Sequence, residues 1–574
     1  MDLNIPGEEM SIDMDSNNKN GLPSRTHLHF NDFYPWKQFN SCYARGTAFL
    51  EESQLSSIEI ADRFSNLKTP EECIALSNQI NGFYSIIFQN DKILYAAVDR
   101  VRSIPLFYCL KDEEFYISDN PHWIKREIRS NEVDEIAAAE FMLTGYVTGR
   151  DTLYPDIKQL QAGEALLLEH RTGILKLKRI RYYKYIPGNY TTISEEDNLK
   201  ELDRVLVRVF KRLIKLASGR TIVVPLSGGY DSRLIVLMLK RLGYDNVIAF
   251  SYGKPKNKES EVSRKVAQSL GIRWEFAPYS NDDWYKWYRS EEFKKYSHMA
   301  CGLSSVPLIQ DWPAVWMLKK NCIIPEDSIF VPGHSADLLT GSRSFNINLK
   351  KNYYTTKLDL TGVIQSIFLY HYSLWNISDK SDLIFQFKDR ISSCISDEEE
   401  FPDNSSTFEF WDVSERQSKF IINSLRAYEF WGYSWWIPFW DNEFMEFWSR
   451  IPIDMKLHQK IYKLYVNNIF HTLSDKNIEI SNEKSNPITN IVIAFIKRTP
   501  FIGVARKIYR HHNISKAYES NPLAFYGAIP KEKFSRLYSG NSNINSFLAA
   551  DIISSLSRES RNAKDFFALL EVQK

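Results

Sequence analysis

The sequence predicts an α/β chain of two domains, an antiparallel β-sandwich-like domain with helices followed by a doubly wound parallel sheet with a large helical part. Three observations carry this. The 574 residues exceed what a single hydrophobic core serves. Up to about residue 190, short β-rich runs alternate with tight turns. From about residue 196, helical and strand patterns alternate, which implies parallel strands with helices on the sheet faces. The expected domains are therefore 1–190 and 196–574.

The first half reads as hairpins. Phe83 to Phe88 and Ile93 to Val98 flank an Asn90-Asp91 turn. Leu106 to Leu110 and Phe115 to Ile117 form a second pair, and Ala165 to Leu168 with Ile174 to Leu177 flank a Thr172-Gly173 turn. In the second half, Leu199 to Leu216 repeats apolar residues at three- and four-residue spacing and predicts a helix. Thr221 to Leu226 is a short apolar run, as in a strand buried on both faces. Asp231 to Leu242 predicts a helix stopped by Gly243, Val247 to Phe250 a strand, Ser260 to Leu270 a helix stopped by Gly271, and Trp274 to Ala277 a third strand. Beyond 360 the pattern is mostly helical, with an acidic, turn-rich exposed loop expected at 396–407.

Composition narrows the function classes. A net charge of +1 lacks the basic excess of a nucleic-acid-binding surface. Six cysteines without a CxxC pair favour buried reduced thiols over a disulfide frame or zinc site, as expected for a cytoplasmic protein. Residues 1–20 are acidic and polar, unlike a secretory signal, and no stretch reaches the ~20 apolar residues of a membrane span. The nearest candidate, Ile491 to Ile496, reads as a core or amphipathic segment. Tryptophans concentrated in 431–448 read as core.

The chemistry is expected at Leu226-Ser227-Gly228-Gly229-Tyr230-Asp231-Ser232-Arg233, where a strand enters, two glycines allow a tight turn, and a helix begins. Backbone amides and the positive helix end make such a turn an anion site, with Ser227 and Ser232 as further donors. No lysine follows in the GxxxxGK[ST] manner. Asp231 would repel a phosphate unless a cation stood between them, which suggests Mg²⁺.

This SGGxDS turn resembles the signature of the PP-loop pyrophosphatases, and further motifs resemble asparagine synthetases. Phe250-Ser251-Tyr252-Gly253 is similar to that family's adenine-embracing segment, and Glu259, Ala267 and Gly271 to its E…A…G helix. Gly333-His334-Ser335-Ala336-Asp337 to Gly341 resembles its GxGxDExxxG loop, Ile437 to Asp441 its VPFLD segment, and Lys463 falls at the lysine of its KyiLR helix. The resemblance implies ATP held by Leu226, Ser227, Gly228, Gly229, Asp231, Ser232, Phe250, Ser251, Gly253 and Gly333. It implies Mg²⁺ shared by Asp231 and Asp337, and Lys463 as the group that offsets α-phosphate charge. His334, where the family usually has Glu, is a candidate general base toward the attacking amine, with a hydrogen bond within the loop as the alternative reading.

Residues 80–185 resemble the class II, Ntn-type glutamine amidotransferase domain of the same family, through Asn81-Gly82-Phe83, Val98-Asp99-Arg100, Ile104 to Tyr108, and Thr152-Leu153-Tyr154 with Ala162-Gly163-Glu164. The nucleophilic cysteine of that family at position 2 is Asp2 here, no cysteine precedes Cys42, and Arg45-Gly46-Thr47 replaces its NGE segment. A degenerate domain without glutaminase is expected. The implied function is an AMP-forming ligase that joins a small-molecule carboxylate to ammonia or another amine, with a uronic acid of bacterial polysaccharide assembly as the first candidate. Lactam or lasso-peptide closure and a non-catalytic nucleotide-binding scaffold are the alternatives, and a homodimer is left open.

Overall fold

The computed structural model describes residues 26–31, 33, 35–90, 93–171, 174–341, 359–377, 381–395, 401–474, 514–538 and 542–559. The strands of the first half are β1 (Thr26–His29), β2 (Lys37–Phe39), β3 (Cys42–Leu50), β4 (Ser53–Leu55), β5 (Asn81–Gln89), β6 (Ile93–Val98), β7 (Phe107–Lys111), β8 (Glu114–Ser118), β9 (Lys158–Gln159), β10 (Glu164–Arg171) and β11 (Ile174–Arg181). They build two sheets, ordered β1-β8-β7-β9 and β11-β10-β6-β5-β3-β2, with β4 paired to β3. The expected hairpins are present: Ser85 pairs with Val98, Tyr108 with Ile117, and Leu168 with Leu177. Asp91 and the Thr172-Gly173 turn lie outside the described residues. Pairing is antiparallel throughout except between β1 and β8, which run parallel.

Strand alternation sorts the side chains into layers. On β6, Leu94, Ala96 and Val98 face a cluster with Leu106, Tyr108, Phe115 and Ile117, which packs the two sheets together. Ile93, Tyr95 and Ala97 face the opposite cluster, which includes Ile60, Ala61, Phe64 and Cys73 from the helices Ser57–Ser65 and Pro70–Gln79.

The second half carries β12 (Ile222–Pro225), β13 (Val247–Gly253), β14 (Arg273–Pro278), β15 (Ile329–Phe330) and β16 (Ser434–Trp435). They form one parallel sheet in the order β14-β13-β12-β15-β16. The chain moves outward from β12 to β14, then returns to the other side of β12. A crevice opens at the carboxyl ends of strands where order reverses in this way, and here that point is β12. Ile222, Val223 and Val224 are fully buried, as a strand covered on both faces requires. The helix Tyr230–Arg241 is buried nearly all round, from Ser232 to Leu239. The helix Glu195–Ala217 begins where Ser194 accepts from the Asp197 amide, and acidic residues fill its first turn.

Two expectations need correction. The 396–407 stretch is not one exposed loop: Asp403 accepts from the Ser406 amide and starts a buried helix, Asn404–Asp412. Residues 396–400, like Ile491 to Ile496, lie outside the described residues. Cysteines 42, 73, 109 and 301 are buried free thiols, but Cys322 is exposed and Cys394 only partly covered. The 431–448 tryptophans are buried, as read from the sequence. Between the Asn404–Asp412 helix and the helix Arg426–Phe430, Val413–Ile421 winds as a π-helix, a form uncommon outside functional sites. No helix among the described residues is long and apolar enough to cross a membrane.

Candidate functional site

The site grows from the end of β12. Neither glycine of the Gly228-Gly229 turn needs a left-handed conformation; Gly229 has φ −76°. The turn is shaped instead by its two serines. The Ser227 amide donates to Ser232 Oγ at 3.0 Å, and the Gly229 amide donates to Ser227 Oγ at 3.2 Å. Both hydroxyls that the sequence suggested as anion donors thus brace the loop. Arg233, to which sequence reasoning gave no role, donates to the Gly228 carbonyl at 2.9 Å from a fully buried position. The free amides of the first helical turn and its positive end remain directed at the crevice.

Asp231 sits in the first turn of that helix, and two groups fix its carboxylate. The Tyr462 hydroxyl donates to Oδ1 at 2.9 Å and the Asp337 amide donates to Oδ2 at 3.1 Å. The second contact brings together two residues 106 positions apart. Burial first, and the Asp337 carboxylate second, push Asp231 up to about 8. Gly333 makes this approach feasible. A Cβ there would stand 2.7 Å from the Ser232 amide nitrogen, so any side chain would part the two loops.

A divalent cation fits this pair. Two repelling carboxylates in a half-buried setting gain from a positive charge between them, and each retains lone pairs beyond those already used. No group of three or more His, Cys, Asp or Glu side chains suited to a metal occurs among the described residues. Two carboxylates completed by phosphate oxygens match the habit of Mg²⁺ rather than a closed protein cage.

Lys463 lies on the helix Lys460–Leu473, next to Tyr462, with its Nζ 5.7 Å from the centre of the Tyr230 ring. His334 is half-buried, with both ring nitrogens 3.3 Å from Ser424 Oγ, and burial holds its imidazole down to about 4. Phe250 and Ser251 support the loop from below: the Leu226 amide donates to the Phe250 carbonyl at 2.8 Å, and Ser251 Oγ donates to the Leu226 carbonyl at 2.6 Å. The Phe250 ring is buried edge-on to Phe330. Gly253 packs on the 522 region, where a Cβ would meet the Pro522 carbonyl oxygen at 2.7 Å. Leu226, Ser227, Gly228, Gly229, Asp231, Ser232, Gly333 and Asp337 are therefore contiguous, while Gly253 is engaged elsewhere. Sequence reasoning missed Tyr462 and Arg233; adjacency to Lys463 and to Ser232 was the only signal.

In the first half, Cys42 is fully buried in β3, and burial pushes its thiol far above the usual range, the neighbouring Cys73 adding to this. Arg45 forms buried ion pairs with Asp119 at 3.1 Å and Glu429 at 2.8 Å. Gly46 stands at φ +121°, where a Cβ would meet the Phe83 carbonyl oxygen at 2.0 Å. Of these contacts, Arg45 with Glu429 joins the two halves.

A doubly wound sheet with paired carboxylates above its switch point, joined to a layered β-domain, defines the class of molecule. Residues 69–183 match the glutamine amidotransferase domain family, and residues 202–305 match the asparagine synthase family. Asparagine synthetase [glutamine-hydrolyzing] 1 of Bacillus subtilis (strain 168) is 22% identical over 201 residues, covering 34% of this chain and 30% of that protein. The chain thus aligns with less than a third of that relative's length. An NH3-dependent NAD synthetase from Campylobacter jejuni subsp. jejuni NCTC 11168, solved in complex with the nitrate ion, aligns at 16% identity and a TM-score of 0.19, covering 35% of this chain and 95% of that one. The chain is thus similar to glutamine amidotransferase domains over residues 69–183 and to asparagine synthases over residues 202–305. The Gly333–Asp337 loop and Lys463 lie beyond the matched stretch.

Proposed function

We propose that the chain is an ATP-dependent ligase that activates a carboxylate as an acyl-adenylate and passes it to ammonia or another amine, without a glutaminase of its own. The single observation that carries this is the meeting of Asp231 and Asp337 at the loop after β12. In this reading the loop amides bind the β- and γ-phosphates, and Asp231 and Asp337 would hold Mg²⁺. The metal would supply charge neutralisation of the departing pyrophosphate. Lys463 would stabilise charge at the α-phosphate while the substrate carboxylate displaces pyrophosphate. The amine then attacks the activated carbonyl, AMP leaves, and the amine proton passes to the neutral imidazole of His334.

The absence of glutaminase chemistry is supported by Cys42, whose thiol is inaccessible and held protonated. A uronic acid is the first acid to test. Ring closure within one substrate and a scaffold without turnover are the competing outcomes.

The test is ATP–pyrophosphate exchange across a panel of acids. Exchange should be acid-dependent, and turnover should release AMP and pyrophosphate. Asp231→Asn and Asp337→Asn should each abolish exchange in protein that still melts cooperatively. Stoichiometric ADP, or full exchange in both variants, would refute the assignment.

A further inference from the structure

One segment, Asp412 to Glu429, touches both the carboxylate loop and the β-domain. Toward the loop, Ser335 Oγ donates to Gln417 Oε1 at 2.6 Å, two residues before Asp337. Gln417 is itself fixed, because its Nε2 donates to Asp412 Oδ1 at 3.2 Å, and both side chains are fully buried. Ser335 stands at φ +67°, a left-handed conformation that a non-glycine residue keeps only when its surroundings enforce it. Seven residues beyond Gln417, Ser424 meets His334.

Toward the β-domain, the same segment is anchored at several points. The Gly149 amide donates to Glu415 Oε2 at 2.9 Å. Lys419, fully buried, pairs with Glu415 and donates to the Val147 carbonyl at 3.1 Å. Arg181 donates to Ser414 Oγ at 3.0 Å, Arg426 donates to the Ser103 carbonyl at 2.7 Å, and Glu429 pairs with Arg45. The π-helical winding places Gln417 on one side of the strut while Glu415 and Lys419 serve the other.

We propose that Gln417 is a positioning residue for Asp337, and that the β-domain, through this strut, sets where that carboxylate stands. The degenerate domain then has a mechanical role in the synthetase site. The proposal rests on the reading of Asp231 and Asp337 as a divalent-cation pair.

The test measures metal binding without turnover. Mn²⁺ is titrated by electron paramagnetic resonance into the full chain with a non-hydrolysable ATP analogue. Ser335→Ala and Gln417→Ala should each weaken Mn²⁺ about tenfold, the scale for a lost outer-sphere support. Nucleotide binding without metal should stay within about twofold. Because both variants remove one shared bond, the double variant should bind no more weakly than either single one. Glu415→Gln, which keeps volume but removes the charge partner of Lys419, should weaken Mn²⁺ in the same direction. Unchanged affinity in both single variants, or additive losses, would overturn the role of Gln417; an unchanged Glu415→Gln would overturn the role of the β-domain. Failure of the underlying reading looks different: wild type and Asp337→Asn would then bind Mn²⁺ alike.

Discussion

Burial decides what His334 and the cysteines can do. The His334 imidazole is held down to about 4, below the ~6.5 of an unfolded chain. Between those values the folded protein binds fewer protons than the unfolded one. Its stability contribution is therefore intact above pH ~6.5 and is lost as pH falls toward 4. His334→Gln should consequently lose less stability than wild type over that window, read as the shift in urea midpoint. The same residue gives a kinetic expectation. If it accepts the amine proton, His334→Ala leaves ATP–pyrophosphate exchange largely intact and slows amide formation roughly 10²-fold or more. Equal loss in both steps would assign it to the loop's structure through Ser424. For the thiols, exposure orders reactivity: Cys322 should be alkylated first by iodoacetamide in the native protein, ahead of Cys42, Cys73, Cys109 and Cys301. Cys42→Ala should leave glutamate release from glutamine at background. A glutamine-dependent signal lost in that variant would show a working nucleophile.

Among the elements, the helix Asn442–Ser449 shows how a motif can be structural. Asp441, read from the sequence as part of a family segment, accepts from Arg212 Nε and Nη2 at 2.8 and 2.9 Å and caps that helix at the Glu443 amide. It also accepts from Asn81 of the β-domain at 3.1 Å. Asp441→Ala strands Arg212 with Glu443 alone and should cost about 3–5 kcal/mol, the usual loss when one partner of a buried pair is removed, measured by chemical denaturation. A cost below about 1 kcal/mol would mean that Glu443 suffices. The long strands and helices around the site were legible because burial writes a period into sequence: β12 as an unbroken apolar run, the helix Glu195–Ala217 as a stripe. The strands β15 and β16, two residues each, carry no period at all. The π-helix was equally hidden, since its five-residue bonding leaves the same apolar composition as an α-helix. The Ser227–Ser232 loop was readable as chemistry, but its internal bracing was not, because which hydroxyl serves phosphate and which serves the backbone is fixed only by geometry. Tyr462 and Gln417 act across more than 80 residues of sequence, where no local pattern points to them.

At the scale of the whole molecule, the two halves share one apolar cluster, with Phe83 against Trp435 and Trp436, and buried charges across it, with Arg45 paired to Glu429 and Arg426 donating to the Ser103 carbonyl. The strand order has a temporal meaning for a chain made from one end. The first three strands of the parallel sheet are complete by Pro278, yet β15 waits until Ile329, and β16, which closes the far edge, only emerges near Ser434. A nascent chain paused after residue 305 would hold β12 with its β15 edge unpaired, buried-type apolar strands facing water, and no partner for Asp231. Such an edge recruits other chains. A fragment ending at 305 should therefore be recovered as aggregate, whereas one ending after residue 474 should hold the complete sheet and elute as a discrete species on gel filtration. Recovery of the short fragment as a monodisperse, cooperatively melting protein would refute this. The unpaired edge of β12 persists from the emergence of β14 until β15 and β16 follow, and over that interval this protein depends on protection from its neighbours.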